Sequence, residues 1–126
     1  MNGKMNKYED HLIFENPVDK SKVIFNSNTF YEIIKGCMIK YGNIPVDKAN
    51  ILIEQSYLAV LPKTYDDVVF LSHEHEFHWA MIIAFGEGYW QKQNYEKFSK
   101  IPDGYNDWEK KIIVEKNLAE TSFEFL

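Results

Sequence analysis

Apolar positions recur with a helical period from residue 28 onward and only patchily before it. Phe30, Ile33, Ile34, Cys37, Met38 and Tyr41 follow the i, i+3, i+4, i+7 spacing of one helix face. Thr29 with Glu32 reads as a capping box for that helix, and Gly42 stands where a left-handed terminal residue belongs. Pro45 suits the first position of a second helix, roughly Val46 to Gln55, whose inner face is Val46, Ala49, Leu52 and Ile53. Leu61-Pro62 interrupts. Thr64 then caps a short third helix running to Leu71 or Ser72, with Asp66 and Asp67 in its electropositive first turn.

The next segment has almost no polar face. Phe77, Trp79, Ala80, Met81, Ile82, Ile83, Ala84 and Phe85 are apolar nearly all round, and a helix of that kind needs neighbours on every side. The pattern places it at the centre of a bundle, with Gly86-Glu87-Gly88 as its stop. Asn106 with Glu109 marks a last helix, about Asp107 to Ala119, using Trp108, Ile112 and Leu118 inward. Residues 1–27 hold two short apolar pieces, His11 to Phe14 and Val23 to Phe25, which fit either short strands or an extended arm; the arm is the preferred reading. The alternating tail, Ser122 to Leu126, is expected to lay Phe123 and Phe125 on the body. The fold class expected is therefore all-α: a compact bundle of four to five helices around a central apolar helix. An N-terminal arm (1–27) precedes a single helical domain (28–126).

Composition narrows the functions this bundle could serve. A chain of 126 residues, 45% hydrophobic and 16% aromatic, is one domain with enough apolar material for its own core. One cysteine excludes an internal disulfide. All 14 basic residues are lysine, and the net charge is −5. Without arginine's bidentate fork, and with a negative total, neither nucleic acid nor an anionic membrane is an expected partner. Residues 1–10 lack the apolar stretch of a secretion signal, and no apolar run approaches the ~18 residues of a spanning helix. The expected compartment is the cytoplasm, and no cofactor is implied.

The candidate chemistry is thin. His73, His75 and His78, with Glu74 and Glu76 among them, suggest a divalent-metal cluster. Zinc-protease spacing fails, because the position four after His73 is Phe77 and four after His75 is Trp79. Deaminase spacing fails as well, since a lone cysteine cannot supply its second half. The competing reading has Ser72 or a neighbour capping the helix and the histidines packing at the bundle edge. Cys37 lies on an apolar stripe and reads as a small core residue. Gly86-Glu87-Gly88 lacks the remaining spacing of a phosphate loop. Paired carboxylates for glycoside hydrolysis can always be found among 19 acids and carry no specificity.

Charge is distributed unevenly. Residues 1–63 hold eight lysines and seven acids, whereas residues 64–126 hold six and twelve. Between Thr64 and Gln91 there is no lysine, leaving Asp66, Asp67, Glu74, Glu76 and Glu87 uncompensated beside Tyr65, Tyr89 and Trp90. Acidic groups around aromatics suit a basic protein partner: charge steers the encounter, and Tyr89 or Trp90 supplies the anchor. The same residues also fit an ordinary solvated face with its aromatics buried.

The stretch Ser72-His73-Glu74, Trp79-Ala80-Met81-Ile82-Ile83, Gly86 and Tyr89-Trp90 resembles a pattern in small uncharacterised bacterial helical proteins. Some of these resemble immunity proteins of polymorphic toxin systems. That resemblance implies a non-enzymatic module that binds and neutralises a cognate toxin. The alternative is a metal-binding protein or metal-dependent hydrolase using His73, His75 and His78.

Overall fold

A computed structural model describes residues 8–126. It overturns the all-α expectation. Five helices are joined by a three-stranded antiparallel sheet, so the protein is mixed α/β. The strands are β1 (Leu12–Glu15), β2 (Lys22–Phe25) and β3 (Phe123–Phe125), in that spatial order. The helices are α1 (Ser27–Lys40), α2 (Val46–Gln55), α3 (Tyr65–Ser72), α4 (Glu76–Phe85) and α5 (Tyr105–Glu115).

Most of the supposed arm is thus a hairpin; residues 1–7 of it lie outside the described residues. Asn16 closes its turn, accepting from the Val18 N–H through Oδ1 and exchanging backbone bonds with Lys20 and Ser21. Leu12, Phe25 and Phe123 stand in register on one face of the sheet, and Phe14, Val23 and Phe125 stand in register beside them. Strands of three or four residues carry little periodic signal, and the tail's partner lies at the other end of the chain. That is why alternation alone did not reveal the sheet.

Asn26 fastens the ends together. Its Oδ1 accepts from the His11 N–H at 2.8 Å, and its Nδ2 donates to the Thr121 carbonyl at 2.8 Å and to Glu124 Oε2 at 3.0 Å. The side chain is therefore occupied and gives α1 no cap, although Asn26 holds the capping position. The expected Thr29–Glu32 box does not form either. Thr29 Oγ1 donates to Asp10 Oδ2 and accepts from the Ala119 N–H, while Glu32 takes Lys116 and Lys35 at 2.9 and 3.0 Å.

The deepest helix is α1, not α4. Phe30, Ile34, Cys37 and Met38 are fully buried, and α4 packs along them with Phe77, Ala80 and Met81. The last turn of α4, Ile82 to Phe85, is only half-buried. At Gly36 α5 approaches α1 so closely that an added Cβ would sit 2.9 Å from both Ile112 Cδ1 and the Trp108 ring.

Candidate docking surface

Three pieces of chain converge around Trp79. The first is the 3₁₀ turn Tyr57–Ala59 that follows α2; the Tyr31 hydroxyl donates to the Leu58 carbonyl and pins this turn to the core. The second is α3, started by a capping box in which Thr64 accepts from the Asp67 N–H at 3.1 Å and Asp67 Oδ2 accepts from the Thr64 N–H at 3.2 Å. The third is α4. Trp79 itself is buried, its indole N–H donating to the Leu71 carbonyl at 2.9 Å. Tyr57 and Phe70 each pack against it with ring centroids 6.0 Å away.

The outward sides of these two rings stay open: Tyr57 is 52% exposed and Phe70 56%, with Val60 beside them at 72%, and Trp90, packed on Tyr89, is 44% exposed. A recess of about 230 Å³ lies among Tyr57, Val60, Leu61, Asp67 and Phe70. A second, about 260 Å³, lies among Glu74, His78, Ile82, Tyr89 and Trp90. Both are below the ~300–1,000 Å³ of most small-molecule sites.

Glu74 links the two recesses. It lines the second, and with Glu87 it acts on the Tyr57 hydroxyl of the first. Burial, then Glu87, then Glu74 hold that hydroxyl above the usual tyrosine range. The Tyr89 hydroxyl is pushed up to about 12 by burial and by Glu74. Glu74 Oε1 sits 3.0 Å from His78 Nδ1. A carboxylate only accepts, so the proton belongs on Nδ1, and His78 Nε2 is left buried without a partner.

The sequence candidates divide. Glu74 and Trp90 line the second recess and Asp67 the first; Glu87 is exposed, lines neither, and bears on this surface through its charge acting on the Tyr57 hydroxyl. The Asp67 carboxyl is held below its ordinary range mainly by the Lys63 backbone N–H. Asp66 is exposed in the first turn of α3 but lines neither recess. Tyr89 is only 1% exposed and donates its hydroxyl to the Phe98 carbonyl at 3.0 Å, so it underlies the second recess rather than projecting from it. Glu76 is engaged elsewhere: its Oε2 accepts from Ser122 Oγ at 2.8 Å, in a separate recess shared with His75 and Glu109. There burial, and then Glu76, push the Glu109 carboxyl up against an opposing hydrogen bond from Tyr105.

The histidines have separate tasks. His73 ends α3 and is exposed, His75 caps α4 by accepting from the Phe77 N–H through Nδ1 at 3.0 Å, and His78 pairs with Glu74. Among the described residues no three His, Cys, Asp or Glu side chains are placed to hold a metal ion. Cys37 is buried beside Tyr105, and burial pushes its thiol well up, away from nucleophilic character.

Tyr57, Val60 and Phe70 were missed from the sequence. The run Val68-Val69-Phe70-Leu71 is apolar throughout, so only the structure, with Val68 and Leu71 buried, shows that Phe70 faces outward. No protein-family model matches the chain, and neither does any curated protein or solved structure. Among the described residues, no helix is long and apolar enough to cross a membrane.

Proposed function

We propose that this chain is a non-enzymatic binding module that neutralises a basic protein, a cognate bacterial toxin, by covering that protein's cationic substrate site. The observation that supports it is the coincidence of exposed aromatics with carboxylates that no lysine engages among the described residues. Tyr57, Phe70 and Trp90 project beside Glu74 and Glu87, and among the described residues no lysine forms an ion pair with either glutamate. Excess negative charge accelerates the approach of a cationic partner, and large rings supply the desolvated anchors that hold it. Glu74, Glu87 and Asp67 do the steering in this reading, with Asp66 contributing at longer range.

The test pairs this chain with the product of the adjacent gene. Purified together, the two should form a complex that abolishes the partner's toxicity on co-expression. Association should slow as salt rises and slow further in a Glu74→Lys, Glu87→Lys double variant. A neighbouring product that is neither bound nor inhibited, or an association rate indifferent to salt, refutes the proposal.

A further inference from the structure

The two recesses and the carboxylates near them specify more than a negatively charged face. We infer that the surface recognises a cationic protein segment presenting two apolar side chains around a lysine or arginine. One apolar side chain enters between Tyr57 and Phe70, the other stacks on Trp90, and the cation meets Glu74 within the field of Glu87. This rests on the binding-module reading and names the chemistry of what is bound.

Three observations carry it. Each recess is too small for a typical ligand and suits a single side chain. Their walls are aromatic rings held from behind: Tyr57 and Phe70 by Trp79, and Trp90 by Tyr89 with ring centroids 5.1 Å apart. Anchors already fixed in place lose little freedom on binding. The third is the placement of charge. Asp67, at the rim of the first recess, already has Lys63 beside it and spends its carboxylate on two backbone N–H groups. Among the described residues no lysine forms an ion pair with Glu74 or Glu87; Lys92, whose ammonium stands beside Gly86, is spent on the Phe85 carbonyl at 2.7 Å. Glu74 is further pinned by His78, so its charge stands in one place. The cation is therefore drawn to Glu74, in the wall of the second recess beside Trp90, with Glu87 adding its field from outside both recesses. A two-fold pairing of this face with its own copy is disfavoured, because it would bring two acidic patches together.

The test needs no knowledge of the natural partner. The full chain, ¹⁵N-labelled, is titrated with three synthetic peptides of equal length: one of leucine and lysine, one of leucine and glutamate, one of serine and lysine. The leucine–lysine peptide should produce saturable shifts at the Trp79 and Trp90 indole N–H groups and at the backbone of residues 57–60 and 70–74. The other two should bind about tenfold more weakly or not at all. Phe70→Ala and Glu87→Gln, both at exposed positions, should each weaken the leucine–lysine peptide about tenfold without moving shifts elsewhere.

Equal binding of the leucine–glutamate peptide reduces the face to a merely apolar patch and overturns the inference. Equal binding of the serine–lysine peptide reduces it to charge alone and overturns it too. Shifts confined to the sheet, or concentration-dependent shifts without peptide, place the occupant elsewhere or make it a second copy. Toxin neutralisation is scored separately. A chain that binds the peptide as stated but fails to neutralise its neighbour's product refutes the functional proposal and leaves this recognition chemistry standing.

Discussion

Replacing Asn26 by alanine should cost the fold more than any exposed substitution, and the structure says how much. The side chain is fully buried and makes three hydrogen bonds, to the His11 N–H, the Thr121 carbonyl and the Glu124 carboxylate. Each neutral bond is worth ~0.5–1.5 kcal/mol net, a charged one ~1.5–3, and abandoned buried groups add a desolvation penalty. Glu124 and Thr121 are exposed and water can reach them, which favours the lower part of that range: about 3 kcal/mol. Domains of this kind have ~5–15 kcal/mol in all, so this one side chain accounts for a large share. With a urea m-value of ~1–3 kcal/mol/M, the unfolding midpoint should fall by roughly 1.5 M while m stays constant. Asn26→Asp sharpens the test, because it preserves size and one acceptor but turns the donor into an oxygen facing a carbonyl and a carboxylate. At neutral pH it should be as damaging as alanine. On acidification, protonation restores a donor and the deficit should shrink. A loss under about 1 kcal/mol for Asn26→Ala, or a stable Asn26→Asp at pH 7, would show that packing rather than this hydrogen-bonded junction holds the ends together.

Other substitutions probe separate parts of the structure. Gly36→Ala gains about 1 kcal/mol of helix propensity but meets Ile112 and the rigid Trp108 ring at 2.9 Å, where overpacking costs ~1–3 kcal/mol. A net loss of about 1 kcal/mol in thermal or urea unfolding is expected, eased when Ile112→Val is added. Glu109 titrates above its unfolded value, so its favourable contribution is complete below the ordinary carboxylate range and is lost as pH rises through its folded pKa. Glu109→Gln should therefore be more stable than wild type at pH 7 and indistinguishable from it in acid, as read from melts across pH. Glu32 behaves oppositely: burial raises its carboxyl, but Lys116 and Lys35 outweigh this and hold it low. Its contribution is present above the unfolded pKa and lost as pH falls through the folded one. Glu32→Gln should cost about 0.5–1 kcal/mol at pH 7 and less in strong salt, since all three side chains are partly solvated.

The helices were legible because their burial is periodic and local. Thr64 with Asp66 and Asp67 announced α3, and the greasy run Phe77 to Phe85 announced α4, although its position at the bundle's centre did not follow: α1 occupies the deepest place. The sheet was not legible, since Val23 and Phe25 become strand residues only when Phe123 and Phe125 arrive from the far end of the chain. The surface was half-legible. Lysine's absence from residues 64–91 pointed to Glu74 and Glu87, yet nothing in adjacent aromatic letters says that Tyr89 is swallowed and Trp90 left out. The engagement of Glu76 by Ser122 was hidden for a similar reason: the two sit 46 positions apart.

The joining of β2 to β3 has a kinetic consequence. Asn26 and Glu124 stand 98 positions apart, whereas the hairpin of β1 and β2 closes across its own short turn. Bringing distant segments together loses chain entropy before any contact repays it, so remote pairings form late and open early. The hairpin and the first helix can start the folding reaction; the final strand can only complete it. Amide protons of Phe123 to Phe125 should accordingly exchange with solvent long before those of Phe30 to Met38, making this strand the first part of the molecule to let go and the last to return.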